Sequence, residues 1–165
     1  NGFKIIRIEE NEINGGSYRI FCKKNVKKSI SYKEKTSLAD IKKFIKRVEK
    51  NKKICLSFIK KCNNKGEKVF LYGASTKGNT LLQYYGIDSK MISFASERSP
   101  EKLGKYTIGS GLKIISEKAA RKLNPKYFFV MPYAFIKEFI IRENKWLEKG
   151  GNFILPYPNF KVLKK

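Results

Sequence analysis

The 165-residue chain contains no histidine. That removes the side chain that most often serves as a neutral-pH acid–base group or metal ligand. Three cysteines, Cys22, Cys55 and Cys62, are odd in number and widely spaced. They offer neither a zinc cluster nor a paired disulfide framework, so free thiols in a reducing cytosol are expected. Cys55 and Cys62 sit seven apart on one helical face, where small buried residues are the plain explanation. No apolar run reaches the roughly 18 residues of a membrane-spanning helix. Asn1-Gly2-Phe3 carries neither an initiator methionine nor a signal-peptide pattern, as expected of a piece of a longer protein that starts inside a strand.

Acidic residues are also scarce, 14 against 37 basic ones, for a net charge of +23. Such a charge attracts nucleic acid, anionic membranes or acidic ligands. Three features argue against nucleic acid. Of the basic residues 31 are lysine and 6 arginine, whereas base readout favours arginine. The excess is spread, with 19 basic and 6 acidic residues in positions 1–65, and 18 and 8 in positions 66–165. No helix-turn-helix, zinc-finger or RNP pattern occurs. A solvated lysine surface, able to draw in an anionic ligand, is expected instead.

What the chain does have is Lys68 to Asp88, KVFLYGASTKGNTLLQYYGID. An apolar β-type run ends at Gly73, and a short polar loop leads into a helix-like segment near Asn79. Unpaired N–H groups and the helix dipole make such a helix start attractive to phosphate. After a second apolar run (Met91, Ile92, Phe94) comes Glu97, at an offset where nucleotide-binding βαβ units hold a ribose hydroxyl. The loop lacks the second glycine of G-x-G-x-x-G, and Asn79 stands where a P-loop has its lysine. Gly73 and Gly78 equally suit a plain strand-to-helix turn.

GASTKGNTLLQYYGID, SERSPEKLGKYTIGSGLKI (Ser96 to Ile114), VMPYAFIKEFI (Val130 to Ile140) and EKGGNFILPYP (Glu148 to Pro158) occur in that order. The series resembles the C-terminal domain of S-adenosylmethionine-dependent C-methyltransferases that act on nucleotide-linked deoxysugars. NGGSYRIFCKK (Asn14 to Lys24) resembles the hairpin that closes the preceding methyltransferase domain in that family. The resemblance implies a zinc-binding N-terminal module, a central methyl-donor domain and this Rossmann-like domain. It also implies a general base resembling a Glu-His pair upstream of residue 1. Accordingly no catalytic residue and no metal ligand is assigned to this chain, which is expected to bind without catalysing. S-adenosylmethionine and zinc belong, on this reading, to the upstream parts, and no cofactor is expected in this piece. The expected partners are a nucleotide-linked sugar and the methyltransferase domain.

Alternation of apolar and polar residues predicts strands at 3–8 and 17–22, joined across Gly15-Gly16. Gly15, Gly16 and Ser17 either make a plain turn or line the methyl-transfer cleft. Asn25 to Lys35 reads as a linker, and Thr36 or Ser37 as the cap of a long helix. Its stripe runs from Leu38 to Cys62, with Lys50 to Lys53 as a possible kink or break, and Gly66 stops it. A basic amphipathic helix can lie on membranes, but packing against an adjacent α/β core is favoured. Further strands are expected at 68–72, 91–95, 127–131 and 152–155, with helices at 79–85, 117–123 and 135–149. The Arg98 to Ser110 stretch is expected to be loop. The fold class is therefore α/β: a Rossmann-like parallel sheet with helices on both faces, preceded by a β-hairpin and a long helical connector. Domain bounds of 1–25, 26–66 and 67–165 follow.

Ligands in such sheets sit outside the carboxyl ends of the strands. Three loops meet that condition. Gly73, Ala74, Ser75, Thr76, Lys77, Gly78 and Asn79 offer N–H groups, hydroxyls and an ammonium for a pyrophosphate, unless Lys77 merely faces solvent. Glu97 suits a sugar hydroxyl, with Arg98, Lys102 and Lys105 for phosphate; Glu97-Arg98 as a surface ion pair is the alternative. Ser99-Pro100 fixes that loop's exit without chemistry of its own. Tyr133, after Pro132, either stacks on a base or joins the core. Trp146 is expected against the sheet. A different nucleotide or NAD-binding Rossmann module, or a basic nucleic-acid-binding module, is the alternative function.

Overall fold

The computed structural model describes residues 1–32 and 36–164. Contacts divide the chain into two compact units, Asn1–Lys42 and Lys43–Lys165. Positions 33–35 of the expected linker lie outside the described residues.

In the first unit β1 (Phe3–Asn11) pairs antiparallel with β2 (Ser17–Lys24), from Phe3 opposite Lys24 to Asn11 opposite Ser17. The register slips between Ile5 and Arg7. The Arg7 guanidinium lies 4.0 Å from the centre of the Phe21 ring, a cation–π contact that shields an aromatic on a small sheet. The segment after β2 lies along β1, where Ile30 N–H donates to Ile5 O at 2.9 Å. Ser37 begins α1 (Leu38–Asn64) with a reciprocal cap, accepting from Asp40 N–H at 3.2 Å while its own N–H donates to the Asp40 carboxylate at 3.1 Å.

The helix does not break at Lys50 to Lys53. Lysine is a good helix former, and the one buried residue of that stretch, Asn51, has partners that hold it. Its Nδ2 donates to Pro158 O at 2.8 Å and its Oδ1 accepts from Phe160 N–H at 3.3 Å. At the far end Gly66 N–H donates to Asn63 O and Glu67 N–H to Cys62 O, closing the helix as Gly66 requires.

The second unit is a six-stranded sheet in the order β5-β4-β3-β6-β7-β8. Its strands are β3 (Val69–Tyr72), β4 (Phe94–Glu97), β5 (Lys113–Ser116), β6 (Tyr127–Val130), β7 (Asn152–Leu155) and β8 (Lys161–Leu163). All pair in parallel except β8, which runs antiparallel to β7. The helices are α2 (Thr76–Tyr85), α3 (Glu117–Lys122), α4 (Ile136–Arg142) and α5 (Asn144–Glu148). The α/β expectation therefore holds, with one antiparallel edge added.

Period-two alternation sorts the strand residues between two cores. Val69, Leu71, Phe129 and Ile154 meet α1 and α2 through Cys55, Ile59, Leu82 and Tyr85. Phe70, Tyr72, Phe128 and Phe153 meet α3, α4 and α5 through Ala120, Phe139 and Trp146. Trp146 is buried against the sheet as expected, and its Nε1–H donates to Pro125 O at 3.0 Å. Cys55 and Cys62 are buried free thiols, with burial pushing Cys55 up to about 12 and Cys62 up to about 11.

Several elements differ from expectation, and β5 and β8 are additional strands. α2 starts three residues early, because Ser75 rather than a residue near Asn79 is its cap. The second parallel strand begins at Phe94, since Asp88 closes a turn by accepting from Lys90 and Met91 N–H. The predicted helix 135–149 is two helices meeting at Glu143 (φ −101°, ψ 19°). Strand β5 follows the expected loop, where Thr107 Oγ1 pairs with Ser110 Oγ at 2.7 Å and accepts from Leu112 N–H at 2.9 Å.

Candidate functional site

The chain leaves β3 toward β4 on one side and later returns to β6 on the other. The carboxyl ends of β3 and β6 therefore flank a topological switch point, where open α/β sheets hold ligands. Gly73 ends β3 and Pro132 follows β6. With φ +84°, and a Cβ that would lie 2.9 Å from Pro132 Cγ, position 73 admits only glycine. Its N–H donates to Ser96 O at 2.9 Å, drawing the end of β4 alongside.

Ser75 is the N-cap of α2, with Oγ accepting from Gly78 N–H at 3.0 Å. A Cβ at Gly78 would stand 2.9 Å from Met131 Cβ, so the first turn of α2 packs directly on the end of β6. The N–H groups of Thr76 and Lys77 have no carbonyl within the helix to meet.

Glu97 ties the loops together. Oε2 accepts from Ala74 N–H at 3.0 Å and from Lys102 Nζ at 3.3 Å; Oε1 accepts from Arg98 N–H at 2.8 Å and Ser99 N–H at 3.1 Å. Burial alone would raise this carboxyl, but the two backbone N–H groups and the Lys102 ammonium outweigh it and hold the group below its ordinary value. Four donors use both lone pairs of each oxygen. Glu97 is thus a clamp between β3 and β4, and its ion-pair partner is Lys102, not the adjacent Arg98.

Two clefts open beside this edge, on opposite faces of the sheet. The smaller, about 300 Å³, includes Gly73, Ser75, Ser96, Glu97, Arg98, Lys102 and Pro132 in its wall. Its floor is Tyr72, whose hydroxyl donates to Glu143 Oε1 at 2.8 Å and accepts from Arg142 Nε–H at 3.1 Å. Burial pushes both the phenol and the Glu143 carboxyl up. Arg121 reaches Glu143 at 3.3 Å and Glu117 at 3.2 Å, so the break between α4 and α5 places a buried carboxylate between an arginine and a tyrosine.

The larger groove, about 620 Å³, lies between α1, α2 and the ends of β6 and β7. Phe44, Tyr84, Tyr85, Tyr133 and Tyr157 give it an aromatic lining, and Lys77 and Arg47 are its cations. Tyr133 and Tyr157 meet edge to face at 4.6 Å, and Tyr157 OH donates to Met131 O. Among the described residues neither Lys77 nor Arg47 has a carboxylate partner; Arg47 instead lies 5.7 Å from the Phe44 ring centre.

The sequence pattern of the C-methyltransferase C-terminal domain matches residues 12–158. The chain belongs to that family. C-methyltransferase NovU of Streptomyces niveus is 37% identical over 98 residues, which are 59% of this chain and 23% of that relative. This chain therefore corresponds to less than two thirds of the relative's length.

In this C-methyltransferase C-terminal domain the thirteen expected site residues are distributed, not pooled. Gly73, Ser75, Glu97, Arg98, Lys102 and Pro132 line the crevice, whereas Lys77 and Tyr133 line the groove. Ala74 and Gly78 are buried beneath the edge, and Thr76 is exposed beside it. Asn79 has a buried amide oxygen with no partner among the described residues. Lys105 lines neither cleft, and its backbone pairs with Ile114 N–H at 2.8 Å. Ser96, the first residue of the expected loop Ser96 to Lys105, and Arg142 also line the crevice, and Tyr84 and Tyr157 line the groove; the last three do not stand out in the sequence. The available signal was arginine scarcity: three of the six arginines, Arg98, Arg121 and Arg142, belong to the network around the crevice.

Proposed function

We propose that this domain holds the nucleotide-linked sugar acceptor of an S-adenosylmethionine-dependent sugar C-methyltransferase, a cytosolic enzyme whose other parts supply the methyl donor and the base. The observation that carries the reading is Lys77. It stands in the first turn of α2, free of carboxylates among the described residues, at the mouth of an aromatic groove. Ammonium, helix N–H groups and dipole all favour a diphosphate there. Tyr84 and Tyr133 offer faces on which a nucleobase stacks.

The reaction proposed for the whole enzyme removes a proton beside a keto-sugar carbonyl, and the enolate attacks the donor methyl group. Here the domain's part is to bind and orient, so the isolated chain is expected to transfer no methyl group. Calorimetric titration with dTDP, UDP, GDP and CDP at 0.2 M salt tests the reading. One nucleoside diphosphate should bind clearly better than the others, and Lys77→Ala should weaken it about tenfold, as for loss of a charge-assisted hydrogen bond. Uniformly weak heats that vanish with salt, unchanged by the substitution, would overturn it.

A further inference from the structure

The crevice on the other face of the sheet carries no surplus of positive charge. Each of its cations is already matched. Lys102 pairs with Glu97 at 3.3 Å, Arg98 with Glu138 at 3.6 Å, and Arg142 with Glu138 at 3.3 Å and Glu117 at 3.5 Å. Three positive and three negative groups leave no net charge to attract an anion. Phosphate entering here would have to break these pairs or lie against three carboxylates.

The same wall holds Ser96, at the carboxyl end of β4 and 1% exposed, whose Oγ has no hydrogen-bond partner among the described residues. Buried hydroxyls are almost always paired, and an exception calls for a reason. Matched carboxylates and guanidinium groups around an unpaired hydroxyl suit a ligand that donates and accepts at many points without charge. That is the chemistry of a hydroxylated sugar ring. Phe135, 47% exposed, adds an aromatic face at the rim.

We infer that the Ser96 crevice holds the glycosyl ring of the acceptor, with Ser96 as its buried hydrogen-bonding partner, while the groove across the sheet edge holds the nucleoside diphosphate. This rests on the nucleotide-sugar reading above. The connection is short: Ser75 lines the crevice and Lys77 the groove, two residues apart in the loop and first turn that separate them.

The test compares dTDP with dTDP-glucose, and UDP with UDP-glucose, on the wild-type chain and on Ser96→Ala. For at least one pair the glycosylated ligand should bind about tenfold tighter than the bare diphosphate. Ser96→Ala should remove most of that difference and leave the diphosphate unchanged. Because it deletes an unpaired buried hydroxyl, it should not lower the thermal midpoint. Ser96→Thr, which keeps the hydroxyl, should retain the preference. Equal binding of diphosphate and conjugate overturns the inference and leaves the diphosphate site standing. Equal weakening of both ligands by Ser96→Ala also overturns it, because the crevice would then hold the nucleotide. Failure of any diphosphate or conjugate to bind overturns the nucleotide reading itself, and this inference with it.

Discussion

Glu97 shows how a single side chain can look like a ligand contact and serve as a fastener. Its position at the end of the second parallel strand matches the acid that holds ribose in related nucleotide units. Its oxygens, however, receive Ala74, Arg98 and Ser99 N–H and the Lys102 ammonium, and so fix the two loops on which any ligand must rest. The carboxylate is held below its ordinary value of 4.5, against the opposing effect of burial. A depressed folded value means that Glu97 stabilises the fold above pH 4.5, and that the contribution disappears as pH falls through the lower folded value. Denaturant unfolding of wild type and Glu97→Gln should therefore differ by a constant amount from pH 7 to about pH 5. The two should converge below pH 4.5. A difference that stays constant through acid pH would mean that shape, not charge, is what the clamp supplies. None of this was readable from spacing, because spacing gives the residue's place along the chain and not which donors turn toward it. Gly73 was more legible: a glycine ending an apolar run needs a turn, and the close approach of Pro132 explains why nothing larger fits.

At the scale of elements, the sequence was clearest where a segment had one apolar face or was apolar throughout. β3, β6 and β7 read directly because burial on both faces leaves an unbroken apolar run, and α1 because its stripe repeats at helical spacing. β5 and β8 did not, since each has an exposed lysine and only a few partly or fully buried residues. The continuity of α1 was also hidden. Lys50 to Lys53 interrupts the apolar stripe, yet Asn51 is 5% exposed and ties the helix to the segment joining β7 and β8 by two hydrogen bonds. Asn51→Ala would leave Pro158 O and Phe160 N–H without those partners. The expected cost is about 1–3 kcal/mol in urea unfolding, the range for unmatched buried polar groups. Because Asn51, Tyr157 and Pro158 line the aromatic groove together, the same substitution should weaken diphosphate binding if that groove is used. A variant as stable as wild type would show that helix α1 is held by its apolar contacts alone, through Cys55, Ile59 and Cys62. The meeting of α4 and α5 at Glu143 has a physical reason that only the fold reveals: Tyr72, 71 positions away, takes the carboxylate.

For the whole molecule the governing quantity is the charge of +23 on 165 residues. Like charges brought close by folding repel, which lowers the stability of the folded form relative to an expanded one. Ion pairs oppose this. Those on the surface, such as Arg98–Glu138 at 3.6 Å with side chains 65% and 58% exposed, contribute only about 0–1 kcal/mol each. Salt weakens both effects, and the magnitudes decide which prevails. With 14 acids facing 37 bases, there are too few carboxylates to give each lysine one of its own. Raising salt from about 0.01 M to about 0.1 M shortens the screening length from about 30 Å to about 10 Å, less than the width of a small domain. Repulsion summed over many distant lysines is therefore removed, while contacts within 4 Å keep most of their strength. The thermal midpoint should rise across that range in sodium chloride and then level off. Sodium sulfate at equal ionic strength should raise it further if anions occupy the first turn of α2 beside Lys77, because binding to the folded form adds to screening. An equal response to the two salts would leave screening as the whole effect. A midpoint that falls instead would show that short-range ion pairs, the network around Tyr72 and Glu143 foremost, outweigh the lysine surface.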